Sequence, residues 1–150
     1  MHDLSKIYNE VKKQFPEVHS KLIPFDKRSF MWSSPITNNI YYNEKQIKET
    51  NFSKSALMGV LAHELAHQVD YKQMNFVERL FLRIQYTNYK FKRRIEIQTD
   101  LIAVQRGFGK ELIQLYKEAE KRFNATRFRE RIKPFHLTPS EIQTMIRLRK

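Results

Sequence analysis

Ser53 to Val69 reads SKSALMGVLAHELAHQV, and the rest of the chain is read outward from it. Ser53 is placed to cap a helix start, and Leu57, Val60 and Leu61 follow at helical spacing. Inside this helix lie His63-Glu64-Leu65-Ala66-His67, the pattern H-E-x-x-H. Residues four apart on a helix stand one above the other. His63 and His67 can therefore turn a ring nitrogen each toward one metal ion. Glu64 is displaced by about 100° around the axis, too far to join them as a ligand but close enough to reach a water on that metal.

Toward the N-terminus three β-rich runs precede the helix: His19–Ile23, Ser29–Ser33 and Ile36–Asn43, broken at Pro24-Phe25-Asp26 and Ser34-Pro35. They predict a small three-stranded antiparallel sheet. The last run, Asn39-Ile40-Tyr41-Tyr42-Asn43, leads into the histidine helix and is the candidate for an exposed edge to which an extended substrate adds as a strand. The competing reading is an ordinary core strand with an exposed tyrosine. Before the sheet, Leu4, Ile7, Tyr8, Val11 and Phe15 mark a first helix, capped by Asp3 and ended by Pro16.

Toward the C-terminus, Asn75-Phe76-Val77-Glu78 has the spacing of a capping box. The helix it opens carries Val77, Leu80, Phe81 and Ile84 on one face, with Arg79 and Arg83 elsewhere. That stripe is expected to be core, with a membrane-surface helix as the alternative. Lys92 to Arg106 forms the next helix, stopped by Gly107 and apolar on most sides, so it is expected to be central. Its acids Glu96 and Asp100 share a face, and a buried carboxylate needs a cation or strong hydrogen bonds. Leu112, Leu115, Tyr116, Ala119 and Phe123 describe a fifth helix. After the basic stretch Arg127–Lys133, Leu137-Thr138-Pro139-Ser140-Glu141-Ile142 opens the last one, with Thr138 and Glu141 as capping box and Leu137 with Ile142 as staple.

These elements assemble into one site. Two histidines and one oxygen ligand make the three-ligand zinc centre of hydrolases, and Glu96 is the choice for the third ligand. With zinc on His63, His67 and Glu96, Glu64 becomes the general base. Asp100 is suited to hydrogen-bond the far nitrogen of a ligand histidine, and Asp70 is a weaker candidate for the same task. Tyr41, Tyr89, Arg106 and His136 are candidates for a transition-state hydrogen-bond donor. His2, His19 and His136 lack partner spacing and are expected at the surface or in the core rather than on the metal.

Composition is consistent with this. In 150 residues, 41% hydrophobic and 29% charged residues suit one globular domain, 1–150. No cysteine is present, so disulfides and thiolate-bound zinc are excluded. The longest apolar run, Ala56 to Ala62, falls short of the ~20 residues of a membrane span, and no signal-peptide core precedes it, so a cytoplasmic, soluble chain is expected. Residues 1–78 carry 10 Lys/Arg against 9 Asp/Glu, a net +1, while residues 79–150 carry 18 against 7, a net +11. The basic half predicts an anionic partner, nucleic acid or acidic lipid, or else a solvated helical surface.

His63-Glu64-Leu65-Ala66-His67 followed by Glu96-Ile97-Gln98-Thr99-Asp100-Leu101-Ile102-Ala103 resembles the paired signature H-E-x-x-H … E-x-x-x-D-x-x-A. That signature belongs to gluzincin peptidases of the prenyl-protein-endopeptidase clan and to their soluble small relatives, the minigluzincins. A looser likeness, to bacterial zinc-metallopeptidase-like proteins, rests on Arg106-Gly107-Phe108-Gly109 and Leu137-Thr138-Pro139. The resemblance implies Glu96 as zinc ligand and Asp100 behind the ligands. Thr99 departs from the alanine usual there, and the clan's transmembrane helices are absent. It also implies latency, with the tail after Arg127 either filling the cleft or packing as a helix. The expectation is an α+β, zincin-like domain: the small sheet on the H-E-x-x-H helix, a helical C-terminal half, and a basic tail over 127–150. The expected function is zinc-dependent peptide-bond hydrolysis of a peptide or protein substrate. The alternative is a non-enzymatic nucleic-acid-binding module using the basic half, with zinc absent or structural.

Overall fold

Asp3 accepts the backbone N–H of Lys6 and starts α1, Leu4–Lys12, which buries Ile7, Tyr8 and Val11. The Tyr8 hydroxyl donates to the Ser20 carbonyl at 2.6 Å and ties the helix to the chain entering the sheet. A computed structural model of the protein describes residues 3–26, 29–123, 128–130 and 132–148. Of the basic tail, residues 127, 131, 149 and 150 lie outside the described residues, as does His2. The architecture is α+β: three short strands among mostly helical elements.

The strands are β1 (Leu22–Pro24), β2 (Met31–Ser33) and β3 (Ile40–Tyr42), in the order β1-β3-β2. β3 runs parallel to β1, with Leu22 opposite Ile40, and antiparallel to β2, with Trp32 opposite Tyr41. The sheet is therefore mixed, not antiparallel as expected. Only β2 and β3 form a hairpin, turned through Asn38 at φ 56°. β1 and β2 therefore lie on opposite sides of β3, which fills the slot between them.

This corrects the expected substrate edge as well. Asn39, Ile40, Tyr41, Tyr42 and Asn43 form the central strand and its ends, hydrogen-bonded on both sides: Ile40 N–H to the Lys21 carbonyl (2.9 Å) and Asn43 N–H to the Phe30 carbonyl (3.0 Å). A strand paired on both sides has no free ladder to offer. The edge beside the histidines is β2.

Asn43 then caps a helix that apolar periodicity does not announce, α2 (Glu44–Thr50), which buries no residue and ends at Asn51 in the left-handed region. Ser53 caps α3 (Lys54–Gln73) as expected. α3 is the centre of the fold, with Ala56, Leu57, Leu61, Ala62, Leu65 and Ala66 buried against α1, β2, α5 (Tyr89–Gln105) and α6 (Gly109–Arg122). At Gly59 a Cβ would come within 2.4 Å of the Glu111 carbonyl oxygen, so α3 and α6 meet backbone to backbone there. Gly107 stops α5 at φ 96°, a conformation that favours glycine. Thr138 and Glu141 cap α7 (Pro139–Leu148) reciprocally, at 3.3 and 2.7 Å.

Between α3 and α5 lies α4 (Phe76–Gln85), opened by the Asn75–Glu78 capping box. Its apolar stripe is not core: Val77, Leu80, Phe81 and Ile84 face outward, and Leu82 alone of its residues is buried. The helix rests on the body through its other side. Among the described residues no helix is long and apolar enough to cross a membrane.

Candidate metal centre

α3 and α5 cross with their polar residues turned toward each other inside an otherwise apolar seam. α3 supplies His63, Glu64 and His67; α5 supplies Glu96, Thr99 and Asp100; all six are buried. The Nε2 atoms of His63 and His67 lie 3.0 and 3.5 Å from Glu96 Oε2, and the three donor atoms fall within 4.8 Å of one another. Donors about 2.0–2.1 Å from a tetrahedral zinc stand about 3.3 Å apart. The trio is spaced so that it could hold a metal ion.

The far nitrogens of both rings are held by acceptors, so that in the neutral ring the lone pair falls on Nε2. His63 Nδ1 lies 2.9 Å from Asp100 Oδ1, an oxygen that can only accept, so the proton sits on Nδ1. His67 Nδ1 lies 3.1 Å from Thr99 Oγ1, whose own hydrogen goes to the Ile95 carbonyl at 2.9 Å. Thr99 must then accept, and His67 Nδ1 is also the protonated nitrogen. Two rings on one helix thus turn Nε2 toward the same Glu96 oxygen, and in their neutral form would present two lone pairs to one point.

Asp100 is fully buried and collects donors. Besides His63 it accepts from the Tyr116 hydroxyl (2.7 Å) and the Leu137 N–H (2.9 Å), with His136 Nδ1 at 3.4 Å. Burial pushes its carboxyl up, but hydrogen bonds from His136 and His63 outweigh this and hold it well below the usual carboxylate range. His63, Asp100 and His136 also sit close enough to form a second metal grouping. In the structure Asp100 makes the hydrogen bond to His63 Nδ1. Asp70 stays apart: its Oδ2 is buried with no hydrogen-bond partner among the described residues.

Opposite pressures act on the remaining groups. Burial works against charge on His63, but Asp100 and Glu96 hold its pKa well above the ordinary histidine value. Burial raises Glu96 too, yet the histidine hydrogen bonds bring it well below the ordinary glutamate value. Glu64 goes the other way, its pKa raised chiefly by burial. The two glutamates are thus shifted in opposite directions, Glu96 downward by its histidine hydrogen bonds and Glu64 upward by burial.

Around these groups opens a cleft of about 570 Å³ whose lining includes Met31 and Trp32 from β2, Tyr71, Tyr86 and His136. Of the four donor candidates, His136 alone lines it: Tyr41 stacks on Trp32 in the sheet, Tyr89 is exposed, and Arg106 binds the Gln14 carbonyl and Glu17. His19 is exposed as expected, but His136 is neither surface nor plain core. Since Tyr116 donates to Asp100, it accepts from His136 Nδ1 at 3.0 Å, which leaves His136 Nε2 facing Glu96 at 4.0 Å. The tail thus contributes a wall of the cleft through Ile132 and His136.

Sequence reading did not single out Thr99, Tyr71, Tyr86 or Tyr116 for these tasks. The available signal was a hydroxyl in each of several otherwise apolar helix faces. No protein-family model matches the chain, and comparison with curated proteins and with solved structures likewise gave no match.

Proposed function

We propose that the chain is a zinc-dependent metallopeptidase of gluzincin type, with His63, His67 and Glu96 as ligands and Glu64 as general base. The observation that carries this reading is the convergence of His63 Nε2, His67 Nε2 and Glu96 Oε2 at the floor of a cleft that also holds Glu64. The likeness of the two motifs to the gluzincin signature supports it.

When bound, a zinc ion supplies Lewis acidity toward a scissile carbonyl and makes water nucleophilic at neutral pH. The Glu64 carboxylate takes the proton of the attacking water and passes it to the leaving amine, and its burial favours the form that holds that proton. His136, whose Nε2 lies 4.0 Å from Glu96 in the cleft wall, is the group placed to meet the developing oxyanion. The peptide lies along β2. There the pairing of Phe30, Trp32 and Ser34 with β3 turns the N–H and C=O of Met31 and Ser33 outward, and Glu64 already accepts from Ser33 N–H.

The test is metal content of protein purified without added zinc, together with cleavage of a peptide library. Stoichiometric zinc is expected in the wild type and not in His67→Ala. Glu64→Gln is expected to keep the metal and lose about 10²–10⁴-fold in activity. Activity that survives Glu64→Gln removes the assigned base, and lack of stoichiometric metal in both proteins removes the whole reading.

A further inference from the structure

α4 is amphipathic in the wrong direction for a helix of a free-standing globule. Phe76, Val77, Leu80, Phe81 and Ile84 are 64, 57, 43, 53 and 65% exposed. At about 100° per residue these five cover one arc of about 140°, and Arg79, Leu82 and the C-cap Tyr86 fall on the opposite side. That opposite side is the one the fold uses. Leu82 is buried, Arg79 donates to the Met74 carbonyl (3.1 Å) and to Asn38 Oδ1 (3.0 Å), and Tyr86 enters the metal cleft. The outward stripe is contiguous rather than scattered, and contiguous exposed apolar surface marks a binding face.

We propose that α4 docks the protein on an anionic lipid bilayer, lying in the plane of the headgroups with its outward stripe in the acyl boundary. The charge around it selects this occupant. Lys72 to Arg94 holds seven Lys/Arg against Glu78 as the one acid, and Arg83 on α4 and Lys90 at the start of α5 are exposed. An apolar arc flanked by basic side chains is the pattern of an interfacial helix on acidic lipid. A second copy of the chain would bring two such basic clusters together and is disfavoured by their repulsion. Nucleic acid would satisfy the charge but give the aliphatic part of the stripe nothing to bury in. The inference stands apart from the chemistry of the metal centre, whose ligands its variants leave untouched.

Co-sedimentation of the full chain with vesicles of phosphatidylcholine, with or without phosphatidylglycerol, tests it. The wild type is expected to partition onto the mixed vesicles and only weakly onto phosphatidylcholine alone. The double variant Phe81→Ser/Ile84→Ser keeps the charge, and its positions are exposed, so folding, checked by circular dichroism, is retained. It is expected to lose about tenfold or more in partitioning. Arg83→Gln/Lys90→Gln is expected to weaken binding and flatten its salt dependence. A wild type that stays in solution with mixed vesicles at physiological salt overturns the proposal. So does binding that the double serine variant leaves unchanged, since charge alone would then hold the protein. A dimer that the serine variant dissolves, or single-stranded DNA binding, without vesicle binding assigns the face to those partners instead.

Discussion

The seam between α3 and α5 and the outer face of α4 break the same rule in opposite senses. In the seam, two histidines and three carboxylates are buried among leucines and alanines; on α4, two phenylalanines, a leucine, an isoleucine and a valine are left in solvent. Ordinary sorting puts charge outside and large apolar groups inside. Each departure loses free energy unless it is compensated, by hydrogen bonds or a cation in the first case and by an apolar surface in the second. The two also differ in how far the chain satisfies them by itself. Asp100 has its donors inside the fold, Glu96 has two histidines with which it could hold a metal ion, and α4 has nothing over it among the described residues.

The sharpest way to break the comparison is within the seam. Asp100→Ala leaves His63 Nδ1–H, the Tyr116 hydroxyl and Leu137 N–H without their acceptor. It is expected to cost about 3–5 kcal/mol of stability in urea denaturation. Glu96→Ala removes an oxygen that faces the two Nε2 atoms and is expected to abolish stoichiometric metal while costing less stability. If Asp100→Ala empties the site and Glu96→Ala does not, the ligand assignment is reversed.

Within α4 the contrast is between adjacent residues. Leu82→Ala opens a buried site and is expected to cost about 2–4 kcal/mol. Phe81→Ala, one residue earlier and facing out, is expected to stay within about 0.5 kcal/mol of wild type. Equal costs in a thermal or urea melt would mean that the stripe is packed after all, and the docking proposal would lose its basis.

Much of this was legible because it is local. Caps at Asp3, Ser53, Asn75 and Thr138 and the stop at Gly107 depend on residues within one turn, and the structure has each of them. The acid pair was readable too, since two carboxylates on an apolar helix pose a desolvation problem that sequence alone displays. What was not legible depends on distant pairing. Whether Ile40–Tyr42 sits at the edge or the centre is decided by where the chain after Pro24 crosses, and side-chain alternation carries no record of that. The α4 stripe has the periodicity of core because periodicity reports amphipathicity, not which way the helix is turned. His136 had no partner at ligand spacing; it reaches the cleft because Leu137 N–H is fastened to Asp100.

Thr99 tests how finely the seam is tuned. Its hydroxyl accepts from His67 Nδ1, so that in the neutral ring the lone pair falls on Nε2. Thr99→Ala is expected to weaken metal affinity by about tenfold, the usual scale for losing the outer partner of a ligand histidine, in a chelator competition titration. Unchanged affinity would show that the ring is oriented by packing against Tyr71, on which it stacks at 5.8 Å.

The smallest effect is expected at Glu118 on α6, which serves as a control for both regions. Its carboxylate is largely covered and accepts from Ser53 Oγ (2.5 Å), Ser53 N–H (3.0 Å) and Gln114 (2.7 Å), with no histidine and no cleft beside it. Burial raises its pKa, and the hydrogen bonds from Ser53 and Gln114 together bring it below the ordinary value. A carboxyl lowered in the folded state contributes stability above its unfolded pKa, about 4.3, and loses it as pH falls through the folded value. Glu118→Gln is therefore expected to cost about 1 kcal/mol at neutral pH, with the gap to wild type closing below about pH 4, as urea midpoints at the two pH values would show. Metal content should not change. A gap that persists in acid would mean that Ser53 needs only an oxygen and not a charge. If the gap closes and the metal stays, buried carboxylates in this fold divide into those the chain satisfies by itself and Glu96, which leaves a place for a cation.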